Sequence, residues 1–407
     1  MDKKPEKLVP EVRFKGFTDD WEQRKLGDVV NFFSGLTYHP SDVKNKGYFV
    51  IRSSNIQNNQ IVSADDIFVN KDIINVPNVK QGDIIVVVRN GSRKLIGKHA
   101  QVLTDMPNTV IGAFMTGVRS KSNFYINALL DSDQFQKEIY KNLGATINQI
   151  TIGEFRKMRF IITSGNEAQT IGEFFKKIDT LITLQQRKLE QLKQLKKALL
   201  QQLFVGKNNK QPNLRFKNFD GEWEQCMLKE IKDVRDGTHN SPKYQKEGYP
   251  LVTSKNLITN GIDLSNVSFI SKYDYQEINK RSKVETGDIL FGMIGTIGNP
   301  VMVKKGGFAI KNVALIKNGG EVSNGFLLHL LKSAIFSQYI KKENAGGTQK
   351  FLGLSVIRSF KFKVPDKVEQ GNIASIFDTL NRFITLQQDN LTQLTTLKKY
   401  LLQKLFI

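Results

Sequence analysis

The sequence contains little of what metal centres, disulfides and membrane spans require. Only one of its 407 residues is a cysteine, Cys226, which excludes an internal disulfide and a zinc site built from cysteines. The four histidines show no metal-ligand spacing. No apolar run approaches the roughly 18 residues of a membrane span, and the start MDKKPEKLVPEVRF lacks the apolar stretch of a signal peptide. We therefore expect a cytoplasmic protein without metal or membrane contact.

Motifs of catalysis are missing as well. No Asn-Pro-Pro-Tyr or Asp-Pro-Pro-Tyr segment of an adenine methyltransferase and no G-x-x-x-x-G-K-[ST] loop of a nucleotide hydrolase occurs. The glycine-rich run GMIGTIG at 292–298 follows a strand pattern but precedes no helix pattern, which favours a hairpin or a turn close to DNA over a phosphate cradle. We expect no enzymatic activity and no cofactor in this chain.

The charge balance is strongly basic. Lysine and arginine number 60 against 39 aspartates and glutamates, so the formal net charge is +21. Basic side chains that neutralise phosphates release condensed counterions, and nucleic acid is therefore the favoured partner of such a chain. Charge alone also leaves open an ordinary basic protein.

The chain repeats itself with an offset of 202 residues (from 10 to 212 and from 181 to 383). Because chance does not keep one offset over a whole chain, the sequence is two copies of one unit. The matching segments are PEVRFKGFTDDWEQRKL (10–26) with PNLRFKNFDGEWEQCML (212–228), KQGDIIV with ETGDILF, LITLQQ (181–186) with FITLQQ (383–388), and LKKALLQQLF (195–204) with LKKYLLQKLF (397–406).

Each copy has the same internal order. The leading segment (RFKGF, RFKNF) precedes a body of β-branched stretches, among them FVIRSSNI, DIIVVVRNG, FAIKNVALIKNG and FKFKV, which predict strands. A helix near 124–143, and its partner near 325–343, is expected to cover that body. Trp21 and Trp223 stand at equivalent places in the leading segments, which favours packing over base stacking.

A long helix follows each body, around 166–204 and 368–406. Apolar residues alternate three and four apart along both, as in a coiled-coil seam. Polar residues interrupt the seams at equivalent positions, Gln185 with Gln387 and Lys196 with Lys398; they either fix register or face solvent. The seam residues are Ile171, Phe175, Ile178, Ile182, Leu189, Leu192, Leu199 and Leu203, and then Ile373, Phe377, Leu380, Ile384, Leu391, Leu394, Leu401 and Leu405.

These features predict an α+β fold in which two β-rich heads alternate with two long helices packed as an antiparallel coiled coil, with a pseudo-two-fold internal repeat. The short link VGKNNKQPN between the copies favours the antiparallel pair. The expected parts are an N-terminal segment (1–25), head 1 (20–160), a central helix (164–206), a linker with the second leading segment (207–227), head 2 (222–364) and a C-terminal helix (366–407).

The order and duplication of these motifs cover essentially the whole chain. The leading segments RFKGF…WEQ and RFKNF…WEQ, the segments GDI and GDIL, and the helices LITLQQ…LKKALLQQLF and FITLQQ…LKKYLLQKLF each occur once per copy. The helical frames match while the head interiors differ, as expected if the heads read different DNA sequences. The chain thereby resembles the specificity subunits of type I DNA restriction–modification systems.

The resemblance has several implications. Each head would be a target-recognition domain that reads one half of a bipartite, asymmetric site in double-stranded DNA. The helices would dock two methyltransferase subunits, which methylate adenine N6 with S-adenosylmethionine. Restriction subunits that hydrolyse ATP would join them. None of this chemistry would belong to the chain itself.

Candidate DNA-reading residues follow from readout chemistry: Arg or Lys recognises guanine, Asn or Gln recognises adenine, and basic and hydroxyl groups contact phosphates. For each residue a plain surface-loop position is the alternative. The candidates in head 1 are Arg52, Ser53, Asn55, Arg89, Asn90, Ser92, Arg93, Lys94 and Lys98. Those in head 2 are Thr238, His239, Lys243, Tyr244, Ser254, Lys255, Asn256, Lys311, Asn312, Gln349 and Lys350.

Two other kinds of protein compete with this interpretation. A coiled-coil scaffold whose heads bind proteins would bind DNA weakly and with little salt dependence, whereas a DNA reader loses affinity steeply with salt. A self-contained restriction enzyme is disfavoured by the missing motifs.

Overall fold

In a computed structural model, the chain divides into two compact units: unit 1 is residues 1–186 with 389–407, and unit 2 is residues 187–388. The structure describes residues 8–143, 148–206, 209–259, 261–343 and 351–407. Each unit contains one head and segments of both long helices, because the unit boundaries fall within those helices.

Unit 1 is built from short strands and from helices that cover them. The strands are β1 (Glu22–Lys25), β2 (Asn31–Ser34), β3 (Val43–Lys44), β4 (Tyr48–Ile51), β5 (Ile56–Gln57), β6 (Gln60–Ile61), β7 (Ile67–Val69), β8 (Ile84–Val87), β9 (His99–Gln101), β10 (Thr109–Ile111), β11 (Met115–Arg119) and β12 (Arg159–Ile162). The helices are α1 (Asn123–Asp131), α2 (Asp133–Asn142), α3 (Ile152–Lys157) and the long α4 (Gly165–Gln202).

Two four-stranded sheets form the body of head 1, in the orders β2-β11-β8-β9 and β10-β4-β7-β3. The pairing is antiparallel except between β4 and β10, where Thr109–Ile111 runs parallel to Phe49–Ile51. Ile51, Ile85 and Met115 belong to one buried cluster that joins the two sheets. The opposite face of β8 packs against α1 and α2 through residues such as Val86 and Leu129.

Unit 2 repeats this plan. Its strands are β13 (Glu224–Met227), β14 (Val234–Asp236), β15 (Tyr244–Gln245), β16 (Tyr249–Val252), β17 (Leu257–Ile258), β18 (Gly261–Ile262), β19 (Ser268–Ile270), β20 (Ile289–Gly292), β21 (Gly298–Met302), β22 (Ala309–Ile310), β23 (Val313–Ile316) and β24 (Lys361–Val364). Its helices are α5 (Leu228–Ile231), α6 (Lys272–Ser282), α7 (Asn324–Lys332), α8 (Ala334–Glu343), α9 (Leu354–Arg358) and the long α10 (Lys367–Leu405).

The sheet orders of unit 2, β14-β23-β20-β21 and β15-β19-β16-β22, reproduce those of unit 1 strand for strand. The predicted internal repeat is thus present in the topology. The glycine-rich run at 292–298 joins β20 to β21 as a hairpin, as predicted. Helix α6 was not predicted. It occupies the place at which unit 1 has only the short 3₁₀ turn Lys71–Ile73, so the two heads differ in an element of secondary structure as well as in their loops.

The single helices predicted near 124–143 and 325–343 are wrong in one respect, because each is two helices. The chain is extended at Ser132 (φ −77°, ψ 159°) and at Ser333 (φ −77°, ψ 168°). Each hydroxyl donates to a carbonyl of the helix before it, and the oxygen of Ser132 accepts from the Phe135 amide at the start of α2. Such a serine ends one helix and caps the next. The spacing of the apolar residues continues across it, so the sequence pattern resembles that of a single helix.

The leading segments are tied to the long helices by equivalent ion pairs. Arg13 Nε donates to Glu167 over 2.6 Å in unit 1, and Arg215 Nε donates to Glu369 over 2.9 Å in unit 2. Trp21 also donates to Glu167, over 3.1 Å. Both tryptophans are buried, Trp21 beside Phe406 and Trp223 beside Phe326, so the predicted packing role is confirmed.

The long helices begin within one residue and end within two of the ranges 166–204 and 368–406 that the apolar spacing predicts. In unit 1, the ring centroids of Phe175 and Phe406 lie 6.1 Å apart, and Asp179 contacts Lys398 at 2.6 Å. In unit 2, Phe377 stacks on Phe204, and Asn381 accepts from Lys196 over 2.6 Å. In both units one residue number rises as the other falls, so the paired segments are antiparallel, as predicted.

None of the helices in the described ranges combines the length and the apolar character that crossing a membrane demands.

Candidate nucleic-acid interface

Three loops of head 1 meet at one edge of its sheets. They are the loop after β4 (52–55), the loop after β8 (89–94) and the turn 112–114 before β11. Asn90 Nδ2 donates to Ser53 Oγ over 3.1 Å, which links the first two loops. The amides of Val88 and Arg89 both donate to the Phe114 carbonyl, at 3.0 and 3.2 Å. Candidates far apart in sequence are therefore brought together.

The basic side chains of head 1 face solvent at this edge. Arg89, Arg93 and Lys94 are exposed, and Lys98 is half-buried. Arg89 lies over the Phe114 ring at 4.9 Å, and Arg93 donates to the Leu143 carbonyl over 3.3 Å. Exposed basic groups on neighbouring loops suit phosphate contact or guanine readout.

Polar candidates in the loop after β4 divide by burial. Asn55 is fully buried, and its amide bonds to the Arg52 amide, to the carbonyls of Val62 and Ala64, and to Asp66. Its side chain holds the turn together, so the prediction that Asn55 reads DNA is wrong, because the groups that would read a base are used inside the protein. Arg52 and Ser53 are half-buried. The Arg52 guanidinium donates to the Asp65 carbonyl.

Head 2 brings together the equivalent segments. The backbone amide of Thr238 donates to the Ile310 carbonyl, and the backbone amide of Asn312 donates to the Thr238 carbonyl. Lys311 Nζ contacts Ser241 Oγ at 2.7 Å and Tyr244 Oη at 3.4 Å. Thr238 and Asn312 are half-buried, and Lys243, Tyr244 and Lys255 are exposed. This surface therefore carries lysines, hydroxyls and an amide.

Ser254 and Asn256 are mainly structural. Both are buried; Ser254 Oγ donates to the Asn312 carbonyl over 3.1 Å, and the Asn256 amide bonds to Thr253, Asp263 and Asn266. Asn256 repeats the role of Asn55 in head 1, so the prediction that it reads DNA is wrong for the same reason. The candidates Gln349 and Lys350 lie outside the described residues.

An ionic network orders His239 in head 2. Its Nδ1 lies 2.9 Å from Asn312 Oδ1 and its Nε2 lies 2.9 Å from Asp236 Oδ2. Arg281, on α6, pairs with the same Asp236 carboxylate and donates to the Gly237 carbonyl over 3.1 Å. His239 and Arg281 also line a cleft of about 560 Å³. Sequence reasoning missed Arg281, because α6 has no counterpart in the other copy.

The two units differ in charge at one equivalent level of the helix pair. In unit 1, Lys398 lies 2.5 Å from Asp131 and 2.6 Å from Asp179. In unit 2, Lys196 faces Asn381 and Lys332 instead. The alternative that these seam lysines face solvent is wrong for Lys398, which is buried.

The pKa values follow these partners. Burial lowers the pKa of Lys398, but the Asp131 and Asp179 carboxylates outweigh it, and the net shift is upward. In unit 2, burial lowers the pKa of Lys196, and burial together with the Lys196 charge lowers the pKa of Lys332 to about 8. Burial and both lysines lower the pKa of His329 to about 3. In unit 2 the Asp378 carboxylate lies 3.7 Å from His329, and burial together with the two lysine charges outweighs it.

Each unit also exposes the same apolar positions on its long helices. The side chains are 48–55% exposed and recur with the 202-residue offset, although coiled-coil seams bury their apolar residues. Equivalent apolar positions of the two long helices are therefore exposed in both units. They are Leu181, Leu184 and Leu397 in unit 1, and Phe383, Leu386 and Leu195 in unit 2.

Among the described residues no cluster of histidine, cysteine or carboxylate side chains could hold a metal ion. The family model for the type I restriction modification DNA specificity domain matches the chain twice, over residues 18–194 and 220–396. The chain belongs to this family. Its two matches coincide with the two copies of the repeat.

Curated relatives are type I restriction enzyme specificity subunits. The EcoKI specificity subunit of Escherichia coli K12 is 24% identical over 310 residues, which is 70% of this chain and 65% of that protein. The MjaVIII specificity subunit of Methanocaldococcus jannaschii is 21% identical, with 95% of this chain and 92% of that protein aligned. The StySPI specificity subunit of Salmonella potsdam is 24% identical, with 95% and 89% aligned.

Solved structures share the fold. The type I restriction–modification S subunit from M. genitalium matches with a TM-score of 0.64 at 16% identity, over 98% of this chain and 99% of that one. A chain from a study of complex assembly and conformational transition of the type I R-M system matches with a TM-score of 0.52 at 15% identity, over 95% and 97%.

Proposed function

We propose that this chain is the DNA-reading subunit of a type I restriction–modification complex and that each head reads one half of a bipartite, asymmetric site. The observation that carries the proposal is that the two heads share the same sheets but differ in the side chains of the loops at the sheet edge. The two heads share one sheet topology, yet their equivalent loop edges present different side chains, Arg89, Arg93 and Lys94 in head 1 and His239, Tyr244 and Lys311 in head 2. Different side chains on one frame suit two different half-sites.

The chain itself is proposed to be non-catalytic and cytoplasmic. Methylation of adenine N6 and cleavage are assigned to separate methyltransferase and restriction subunits. The repeated exposed positions around Leu184 and Leu386 support docking of two copies of the same methyltransferase subunit on the helices. We propose that residues 20–160 and 222–364 are the recognition domains and that the helices within 164–206 and 366–407 dock the partner subunits.

Mapping N6-methyladenine at base resolution in the source genome, with the gene intact and deleted, tests this function. Deletion is expected to abolish methylation at one split motif completely. Replacing residues 20–150 by the corresponding part of another family member is then expected to change only one half of the motif, because the other head is untouched.

Persistence of every methylated motif after deletion of the expressed gene contradicts the proposal. Titration of DNA binding with salt distinguishes the proposed DNA reader from the alternative, a scaffold whose heads bind proteins. A reader that contacts six or more phosphates loses about 10³-fold or more in affinity between 50 and 200 mM salt, whereas a protein-binding scaffold shows little change.

A further inference from the structure

Phe114 is an exposed phenylalanine at the centre of the head 1 loop edge. Its side chain is 53% exposed, whereas the next residue, Met115, is 2% exposed and lies in the core. The Arg89 guanidinium lies 4.9 Å from its ring centroid. The edge of head 1 therefore offers an apolar ring to solvent among basic side chains.

The backbone holds this ring in a fixed place. The Phe114 carbonyl accepts from the amides of Val88 and Arg89, and Gly112 donates its amide to the Ile51 carbonyl. A Cβ at Gly112 would lie 3.8 Å from Arg52 Cγ, so the turn also adjoins the loop after β4. Phe114 therefore projects from a turn that two strands and two DNA-facing loops position.

Unit 2 has an asparagine at the equivalent position. Thr116 pairs with Ser34 in unit 1 as Ala314 pairs with Asp236 in unit 2, so Met115 corresponds to Val313. The residue before each strand, Phe114 or Asn312, accepts a backbone bond from the residue that follows β8 or β20. One place in the frame thus carries an aromatic ring in one head and an amide in the other.

In the major groove these two side chains suit different bases. An asparagine amide can pair with adenine, whereas a phenyl ring can only make apolar contact, and the C5 methyl of thymine is the apolar group that the groove offers. The neighbouring Arg89 adds a charge that favours the phosphates on either side.

We propose that Phe114 is a specificity-determining residue that contacts the C5 methyl group of a thymine in the half-site read by head 1. This rests on the proposed function. The ring selects thymine by its methyl group, and Arg89, stacked on the ring, is held beside the same base pair.

Uracil substitution tests this contact, since it removes only the methyl group. Duplexes carrying the motif mapped for the wild-type complex would be prepared with each thymine replaced in turn by uracil. For the assembled wild-type complex, one substitution in the half-site of head 1 is expected to weaken binding about 5- to 10-fold, in the lower range of a base-specific contact. The Phe114→Ala complex is expected to lose less than two-fold at that position.

Leu103→Ala is the matched control, because Leu103 is a 59% exposed apolar residue of the same head; it should keep the wild-type response to uracil. A wild-type complex indifferent to uracil throughout that half-site overturns the proposal. So does a Phe114→Ala complex that binds every duplex, including random sequence, more weakly by one common factor, which indicates a general stacking wedge. Absence of any wild-type motif would instead refute the proposed function.

Discussion

Lys398→Met is expected to lower the free energy of unfolding of unit 1 by about 2 kcal/mol, because it leaves the half-buried Asp131 and Asp179 carboxylates without their shared buried cation. Trp21 lies in the same buried cluster as the end of α10. Urea denaturation followed by Trp21 fluorescence, in a Trp223→Phe background, would measure the change. His99, 3.3 Å from Asp131, remains as a partial partner.

Lys196→Met is the matched control at the equivalent position of unit 2. Lys196 donates to Asn381 and faces the like charge of Lys332, so its loss should change stability by less than about 1 kcal/mol. Equal losses from the two substitutions would contradict the asymmetric role that we assign to these lysines.

The stability difference between wild type and Lys398→Met should also depend on pH. Burial opposes ionisation of Asp131, but His99 and Lys398 outweigh it and lower its pKa below the unfolded value. A depressed carboxyl pKa stabilises the fold above the unfolded pKa, about 4, and this contribution is lost as pH falls towards the folded pKa. The unfolded chain contributes equally to both proteins, so the difference is expected to shrink as the pH falls through the pKa that Asp131 has in the variant, which loss of the Lys398 charge leaves higher than in wild type.

Replacing Arg93, Lys94 and Lys98 together by glutamine is expected to weaken binding of the assembled complex to its duplex roughly 100-fold at 150 mM salt. This figure assumes that each side chain neutralises one phosphate, since counterion release contributes about 0.9 to the salt slope per phosphate. Titrations at several salt concentrations should show that slope reduced by about 2.7.

Lys15, Lys25 and Lys177, also replaced by glutamine, make a control with the same change in net charge. These exposed lysines lie on the leading segment, on β1 and on α4, and belong to none of the three loops. Their loss should leave the salt slope within error of wild type. A similar fall in affinity for both triple variants would mean that net charge alone, and no loop surface, attracts the DNA.

Much of the fold could be predicted because its signals are local or repeated. The 202-residue offset established the two copies, and the three-and-four spacing from Ile171 to Leu203 predicted a helix that the structure begins at Gly165. The division of α1 from α2 was missed because Ser132 is compatible with a helical pattern and breaks it only through its own hydrogen bonds.

The candidate site was predicted at the level of loops and less well at the level of side chains. The loops at 52–55 and 89–94 do meet, but Asn55 and Asn256 point inward to bond with backbone that follows them by several residues. Residue type shows that an asparagine can read adenine and does not show which way it points. Phe114 was missed because an apolar residue beside a strand pattern is normally core.

By itself the sequence determined the duplicated plan, the long antiparallel helices, the basic charge and the family resemblance. Each of these follows from the repeat offset, the spacing of apolar residues or the residue counts. Only the tertiary structure decided what each equivalent position does. Lys196 and Lys398 are identical in type and register, yet one faces Lys332 and the other Asp131, 267 residues away in sequence. Such partners are set by packing between distant segments, and no local pattern records them.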